Sequence, residues 1–258
     1  MDAPDPALSV VIPVLDEAGS VVDLLREVGE ALGAQGRPYE ILVVDDGSRD
    51  ATPERLRELL ERGGLPLRVL RHRERLGQSA ALRSGIAAAR AVWVATLDGD
   101  GQDDPADLAR LLAARDREGA LRLVCGSRRP RRDSWRRRAE SRVANAVRRA
   151  VLGDGTPDTG CGLRLVHRAT YLELPFFDHQ HRFLPALVRA AGGRVASVEV
   201  RHRPRTRGRS KQALGGRLAA GLVDLAGVLW LRRRGRRFEV EEIRAGDQSA
   251  RRPTGERP

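Results

Sequence analysis

The fold class this sequence predicts is α/β: a Rossmann-like, mainly parallel sheet flanked by helices, with a C-terminal helical extension. Two observations predict it. Through the first half of the chain, short apolar runs rich in β-branched residues alternate with segments of helical spacing, the pattern of a parallel sheet covered on both faces. The chain is also long enough, at 258 residues with 41% hydrophobic and 32% charged residues, to bury one core of α/β size. No internal repeat interrupts the pattern.

The elements follow in order. Leu8–Val14 is an apolar run ending after Pro13, and Ser20–Leu32 carries Val21, Leu24, Leu25, Val28 and Leu32 at helical spacing. Tyr39–Val44 reads as a buried strand, Pro53–Leu60 as a helix with Thr52 as its N-cap, and Leu67–Leu70 as a short strand. Ser79–Arg90 is an Ala-rich helix, Val92–Leu97 a strand, Pro105–Arg117 a helix with Pro in its first turn, and Leu121–Cys125 a strand. After Gly126 the pattern changes. Arg131–Leu152 reads as a basic helix containing Trp135, Leu163–Val166 as a strand, Arg182–Ala191 as a helix and Val195–Val200 as a strand. Arg203–Lys211 is a basic loop, Gln212–Leu231 a helix, and the charged tail is disordered from about Gly246 onward. The expected division is a catalytic domain over 1–211, an amphipathic helix over 212–237 and a charged tail over 238–258.

Composition bounds the rest. Met1–Ala7 lacks the apolar core of a secretory signal. The longest apolar run, Leu218–Leu231, is interrupted by Asp224 and falls short of the ~20 residues of a spanning helix. The chain is therefore expected not to cross a membrane by itself. Cys125 and Cys161 have no metal-ligand spacing and read as buried small residues in a reducing, cytoplasmic compartment. The net charge of +12 favours anionic partners. Part of it reflects a coding bias toward arginine, since Lys211 is the only lysine. Yet the charge is uneven, with arginine dense over Arg128–Arg149 and Arg201–Arg237 and acidic residues dense over 96–107.

The chemistry sits at strand ends, where open α/β sheets bind ligands. The strand Tyr39–Val44 runs into Asp45-Asp46-Gly47-Ser48, and Val92–Leu97 runs into Asp98-Gly99-Asp100-Gly101-Gln102. Asp-Gly pairs are also ordinary turn chemistry. Two acidic clusters at two strand ends of one sheet point beyond turns. Carboxylates packed this tightly repel one another unless a cation sits among them, and a glycine between two of them lets both aim at one hard divalent ion. Such an ion would bridge to a diphosphate.

These segments resemble the inverting family-2 glycosyltransferases of GT-A fold, in the polyprenyl-phosphate, dolichol-phosphate mannosyltransferase-like branch. The resemblance rests on Val10–Glu17, Ile41–Asp50, Leu76–Leu82, Leu97–Gln102, Gly126-Ser127-Arg128, Asp158–Arg164 and Arg207–Lys211, which occur in the family's order. It implies that Pro13, Val14 and Glu17 line a nucleotide pocket, that Asp45 hydrogen-bonds the base and that Asp46 sits beside it. It further implies that Asp98, Asp100 and Gln102 hold Mg²⁺ or Mn²⁺ against the diphosphate of a nucleotide-sugar donor. The family commonly carries Asn where this chain has Asp16.

A phosphate acceptor has a second pKa of about 6 and is already an anionic nucleophile near neutral pH. It needs cations more than a base. Arg128, Arg203, Arg207 and Lys211 are the candidates for a cationic cradle around the donor and acceptor phosphates. Asp158 is either a base or orienting carboxylate, or an ordinary turn residue among Gly and Pro. Leu214, Leu218, Leu222, Leu225 and Leu229 form one helical stripe, with Trp230 and several arginines at its end. It can lie in an anionic membrane interface or pack on the sheet. The expected location is the inner face of the cell membrane, held peripherally, with a polyprenyl phosphate as acceptor. Three alternatives remain: a hydroxyl acceptor on the same fold, a membrane-surface scaffold, and nucleic-acid binding. With 3% aromatic residues, stacking platforms for bases are few, so no specific nucleic-acid partner is expected. Of the histidines, His202 stands beside the cationic loop, whereas His167, His179 and His181 read as surface or core residues.

Overall fold

The computed structural model describes residues 5–128, 152, 153, 155–203 and 217–234. Seven strands form one sheet in the order β3-β2-β1-β4-β6-β5-β7. In chain order these are β1 (Leu8–Val14), β2 (Tyr39–Asp45), β3 (Leu67–Arg71), β4 (Trp93–Thr96), β5 (Leu121–Arg128), β6 (Arg164–His167) and β7 (Arg194–Val200). The helices are α1 (Val21–Gly33), α2 (Thr52–Arg62), α3 (Gln78–Ala88), α4 (Leu108–Arg117), α5 (Arg168–Glu173), α6 (Leu184–Ala190) and α7 (Arg217–Arg234).

The strand pattern explains itself in two cores. Along β1, Val10, Ile12 and Val14 belong to the core beneath α1 and α4, whereas Val11 belongs to the opposite core beneath α3. On β2, Ile41 and Val43 face the first core, and Leu42 and Val44 the second. Successive side chains point to opposite faces, so a strand apolar on both faces reads as an unbroken run. Each such Val or Leu contributes about 1.5–3 kcal/mol on burial.

One strand runs against the rest. β6 pairs antiparallel with β4 and with β5, while β5 and β7 pair parallel. The C-terminal ends of β1, β2, β4 and β5 therefore share an edge with the start of β6. Thr96 and Cys125 both lie in register with Arg164. This reversal carries the segment 158–163 to the edge where the parallel strands end.

Several local expectations change. Thr52 opens α2 as its first residue; the N-cap position is Ala51, which makes no side-chain cap. Asp50 takes that role: its Oδ1 accepts the Thr52 amide at 2.9 Å and the Thr52 hydroxyl at 2.5 Å. Pro105–Asp107 is a 3-10 turn ahead of α4. The short α5 went unread because six residues carry too little periodicity. The apolar stripe of the last helix faces the protein where it is described: Val228 is buried and Leu225 and Leu229 pack on the second core. Those two leucines are partly covered by the protein itself. Among the residues of α7 whose burial is described, the large apolar ones exposed are Val223 and Trp230. The expected helix over 131–152, with Trp135, lies outside the described residues except for Leu152, which is buried in the second core. Arg207, Lys211, Leu214 and the tail also lie outside the described residues. Among the described residues no helix is long and apolar enough to cross a membrane.

Candidate active site

The loop after β1 is held from β2's side. Asp16 sits in the left-handed region at φ 49°, which Asp and Asn tolerate better than most residues. Its amide donates to Ser48 Oγ at 2.8 Å, and its Oδ1 accepts the Arg49 amide at 2.8 Å, a bond that an Asn carbonyl could equally accept. The Glu17 amide donates to Thr52 Oγ1 at 2.8 Å, and Glu17 Oε2 accepts the Ser20 hydroxyl at 2.9 Å. Gly47 has φ 76°, and a Cβ there would lie 2.8 Å from the Glu74 carbonyl carbon, so only glycine fits.

Asp45 and Asp46 are both buried but serve different neighbours. Asp45 Oδ1 accepts the Ser48 amide at 2.9 Å, and its Oδ2 faces Arg71 Nε at 3.1 Å. Asp46 accepts the amides of Leu76 and Gly77 at 2.9 and 2.8 Å and bonds His72 Nδ1 at 2.8 Å. Its carboxylate thus fastens the loop leading into α3.

Two cavities open along the C-terminal edge. The first, about 540 Å³, is walled by Pro13, Val14, Glu17, Asp98 and Asp100, with the start of α3 opposite. The second, about 510 Å³, lies beyond Asp98 and is lined by Arg128, Arg164 and Gln102. Gln78, Asp98, His181 and Arg182 border both.

Asp98 stands at this junction. Its Oδ1 accepts Gln78 Nε2 at 2.8 Å, and Gly162 lies so close that a Cβ there would meet the Asp98 Cγ at 2.4 Å. Burial, reinforced by the charge of Asp100, pushes the Asp98 carboxyl up to about 6. Asp103, 3% exposed, is pushed up to about 7 by burial and then by Asp98. Carboxylates this crowded repel one another, and a divalent cation would offset that repulsion. The oxygen set of Asp98 and Asp100 fits Mg²⁺ or Mn²⁺. Among the described residues no three His, Cys, Asp or Glu side chains converge as a metal cage. Magnesium sites typically use one or two carboxylates and complete the sphere with substrate phosphates and water. Gln102 lies on the far side of Asp98, and its Nε2 donates to the Arg203 carbonyl at 3.4 Å.

The second cavity is basic. Arg128 Nε donates to Asp158 Oδ2 at 2.6 Å and its Nη2 to Asp158 Oδ1 at 2.9 Å. Burial works against charge on Asp158, but the bonds and charge of Arg128 outweigh it and hold its carboxyl below the usual range. Buried Arg164 spends its guanidinium on backbone, donating to the carbonyls of His181 at 2.5 Å and Thr159 at 2.7 Å. It ties the segment before β6 to the turn before α6. His181 Nδ1 bonds Ser79 Oγ at 2.7 Å; burial, then the charge of Arg164, pushes its imidazole down to about 3. His181 therefore acts as a neutral hydrogen-bonding wall.

The structure brings Pro13, Val14, Glu17, Asp46, Asp98 and Asp100 around one cavity and Arg128 and Gln102 beside the next. Two of the expected residues, Asp45 and Arg203, are absent from the lining of both cavities. Asp45 is buried and pairs with Arg71. Arg203 pairs with Glu27 and with Asp104 and lines neither cavity, because its backbone bridges to Gln102 and turns the side chain toward α1. Both oxygens of Asp158 accept hydrogen bonds, from the Arg128 guanidinium and from the Gly160 amide. Sequence reasoning missed Gln78, Arg164, His181 and Arg182. A signal existed for the first two, which stand inside the resembling segments Leu76–Leu82 and Asp158–Arg164.

Fold and site define a class of enzyme in which carboxylates at the edge of a parallel sheet flank a cleft beside a basic chamber. The chain belongs to glycosyl transferase family 2, whose model matches residues 9–174. It is 33% identical over 229 residues to dodecaprenyl-phosphate galacturonate synthase of Rhizobium johnstonii, a match covering 88% of this chain and 67% of that protein. It is 35% identical over 208 residues to undecaprenyl-phosphate 4-deoxy-4-formamido-L-arabinose transferase of Edwardsiella ictaluri, covering 80% of this chain and 63% of that one. The chain thus spans about two thirds of these relatives' length. Among solved structures it resembles glucosyl-3-phosphoglycerate synthase from Mycobacterium tuberculosis in complex with Mn²⁺ and UDP-glucose, with TM-score 0.65, 22% identity and coverage of 86% and 79%. It also resembles mannosyl-3-phosphoglycerate synthase from Rubrobacter xylanophilus, with TM-score 0.68, 22% identity and coverage of 92% and 77%. These likenesses make the fold GT-A.

Proposed function

We propose that this glycosyltransferase moves a sugar from a UDP- or GDP-linked donor to a polyprenyl phosphate at an anionic membrane surface. The observation that carries the reading is the meeting of two cavities of opposite character at Asp98. The acid-walled cavity suits a nucleotide diphosphate with its divalent ion, and the basic chamber suits an acceptor phosphate. Relatives named for polyprenyl-phosphate acceptors support the same assignment.

In this reading Pro13, Val14 and Glu17 contact the nucleoside, and Asp98 and Asp100 hold the metal, with Gln102 beside them. The metal would offset charge on the departing diphosphate. The acceptor phosphate oxygen attacks the anomeric carbon from the side opposite the diphosphate. The new carbon–oxygen bond forms as the bond to the diphosphate breaks, and the configuration inverts. A phosphate dianion has no proton to lose, so no base is required. Arg128, aimed by Asp158, orients it, and Arg182 lies at the junction. Arg207 and Lys211 remain candidates for the same cradle. The exposed Val223 and Trp230 of α7, followed by Arg232, Arg233 and Arg234, suit a peripheral seat on anionic lipid.

The test is transfer from a panel of UDP- and GDP-linked hexoses, hexuronates and amino sugars to a short polyprenyl phosphate, with Mg²⁺, Mn²⁺ or EDTA. Metal-dependent formation of a lipid-linked sugar is expected. Transfer only to a hydroxyl acceptor would overturn the acceptor assignment.

A further inference from the structure

Helix α7 lies beyond residues 9–174, the part matched by the family model, yet one of its side chains reaches the rim of the first cavity. Asp224 Oδ2 meets His179 Nδ1 at 3.0 Å. His179 lines that cavity together with Asp178. It sits at φ 62°, a conformation that a non-glycine residue keeps only where its surroundings fix it. Its amide donates to Asp178 Oδ1 at 2.8 Å, and His181 and Arg182, just beyond Gln180, border both cavities. The rim segment 178–182 is held from several sides, with buried Gln180 donating to the Pro175 carbonyl at 3.0 Å. Arg164 and Ser79 grip His181, and Asp224 grips His179.

The helix that supplies Asp224 is itself docked. Val228 is fully buried, Leu225 and Leu229 pack on the second core, and Arg232 bonds the Leu152 carbonyl. Asp224 lies four residues before Val228, one helical turn away and on the same face. Its position follows directly from that docking.

We propose that Asp224 is a positioning residue for the donor cleft: through His179, docked α7 sets the rim that closes over the bound nucleotide sugar. The inference rests on the reading of the first cavity as the donor site. The geometry makes donor affinity depend on an element outside the family's matched region. It also gives α7 two faces with two tasks, since Val223 and Trp230 point outward while Asp224 and Val228 point in.

The experiment is titration of the full chain with UDP and GDP in the presence of Mn²⁺, using wild type, Asp224→Ala, His179→Asn and the double variant. Asn accepts the left-handed backbone, so His179→Asn removes the ring without forcing the turn. Each single change is expected to weaken binding about tenfold, and the double change no more than either, because both cut one interaction. Asp224→Glu should restore part of the loss, and steady-state assays should show KM for the donor rising more than kcat falls. Should Asp224→Ala fail to fold, His179→Asn and Asp224→Glu carry the same comparison. Unchanged affinity in the single variants, or losses that simply add, would overturn the inference while leaving the donor reading intact. Failure of the wild type to bind either nucleotide would overturn the donor reading and this inference with it.

Discussion

Arg128 and Asp158, thirty residues apart in sequence, close a two-point ion pair beside the second cavity, with Nε to Oδ2 at 2.6 Å and Nη2 to Oδ1 at 2.9 Å. Arg128 ends β5, and Asp158 precedes the reversed strand β6. The pair thus stands beside the strand that runs against its neighbours. A bidentate pair fixes the plane of the guanidinium as well as its charge, which is what orienting a phosphate requires.

Asp158→Asn removes the charge but keeps the shape. It should lower transfer to a phosphate acceptor by raising the acceptor KM, leave the form of the pH–rate profile unchanged, and cost about 1–3 kcal/mol of stability. Steady-state kinetics across pH, with denaturant melts, check all three. Loss of a basic ionisation from the kcat profile would instead assign Asp158 as a base.

Asp98→Ala or Asp100→Ala should each reduce metal-dependent transfer at least about 100-fold. The same variants should lose the rise in Tm that Mn²⁺ together with UDP or GDP produces in the wild type. Chelation by EDTA should mimic both effects reversibly, with activity returning on adding metal back.

Gly162→Ala places a Cβ 2.4 Å from the Asp98 Cγ, so the carboxylate must move. Transfer should fall about 10- to 100-fold, as expected for a misplaced reacting site, while far-ultraviolet circular dichroism stays that of the wild type. Ser at this position should be no better than Ala, because the clash is with the first side-chain carbon.

At the opposite end of the sheet, Glu40 accepts Ser9 Oγ and the Arg90 amide, both at 2.7 Å, and pairs with Arg68 at 2.8 Å. Burial pushes its carboxyl up, but those bonds outweigh it and the folded pKa lies below the ordinary value. The sign follows: this contribution is complete above the unfolded pKa of about 4.3 and is lost as pH falls through the folded value. Glu40→Gln should lower Tm at neutral pH and flatten its decline in acid. Thermal melts from about pH 7 down to about pH 3 decide it.

The sequence by itself determined the layered α/β architecture and the acidic edge. Val10–Val14 and Ile41–Val44 could be read as strands because burial on both faces leaves an uninterrupted apolar run. Asp98 and Asp100 could be read as a site because a parallel strand delivers whatever follows it to one edge. Both signals are local. Tertiary structure alone decided what crosses the sheet. The reversal of β6 brought Asp158 to Arg128 and Arg164 to the turn at His181, and no spacing encodes the direction of a four-residue strand. Gln78 meets Asp98 twenty residues away, and Arg203 turned to Glu27 and Asp104 rather than to the cleft, because ion pairs form wherever packing places the partners. The leucines of α7 show the same limit. An amphipathic stripe states that one face is covered, and only the docked helix, with Val228 buried and Asp224 on His179, states by what.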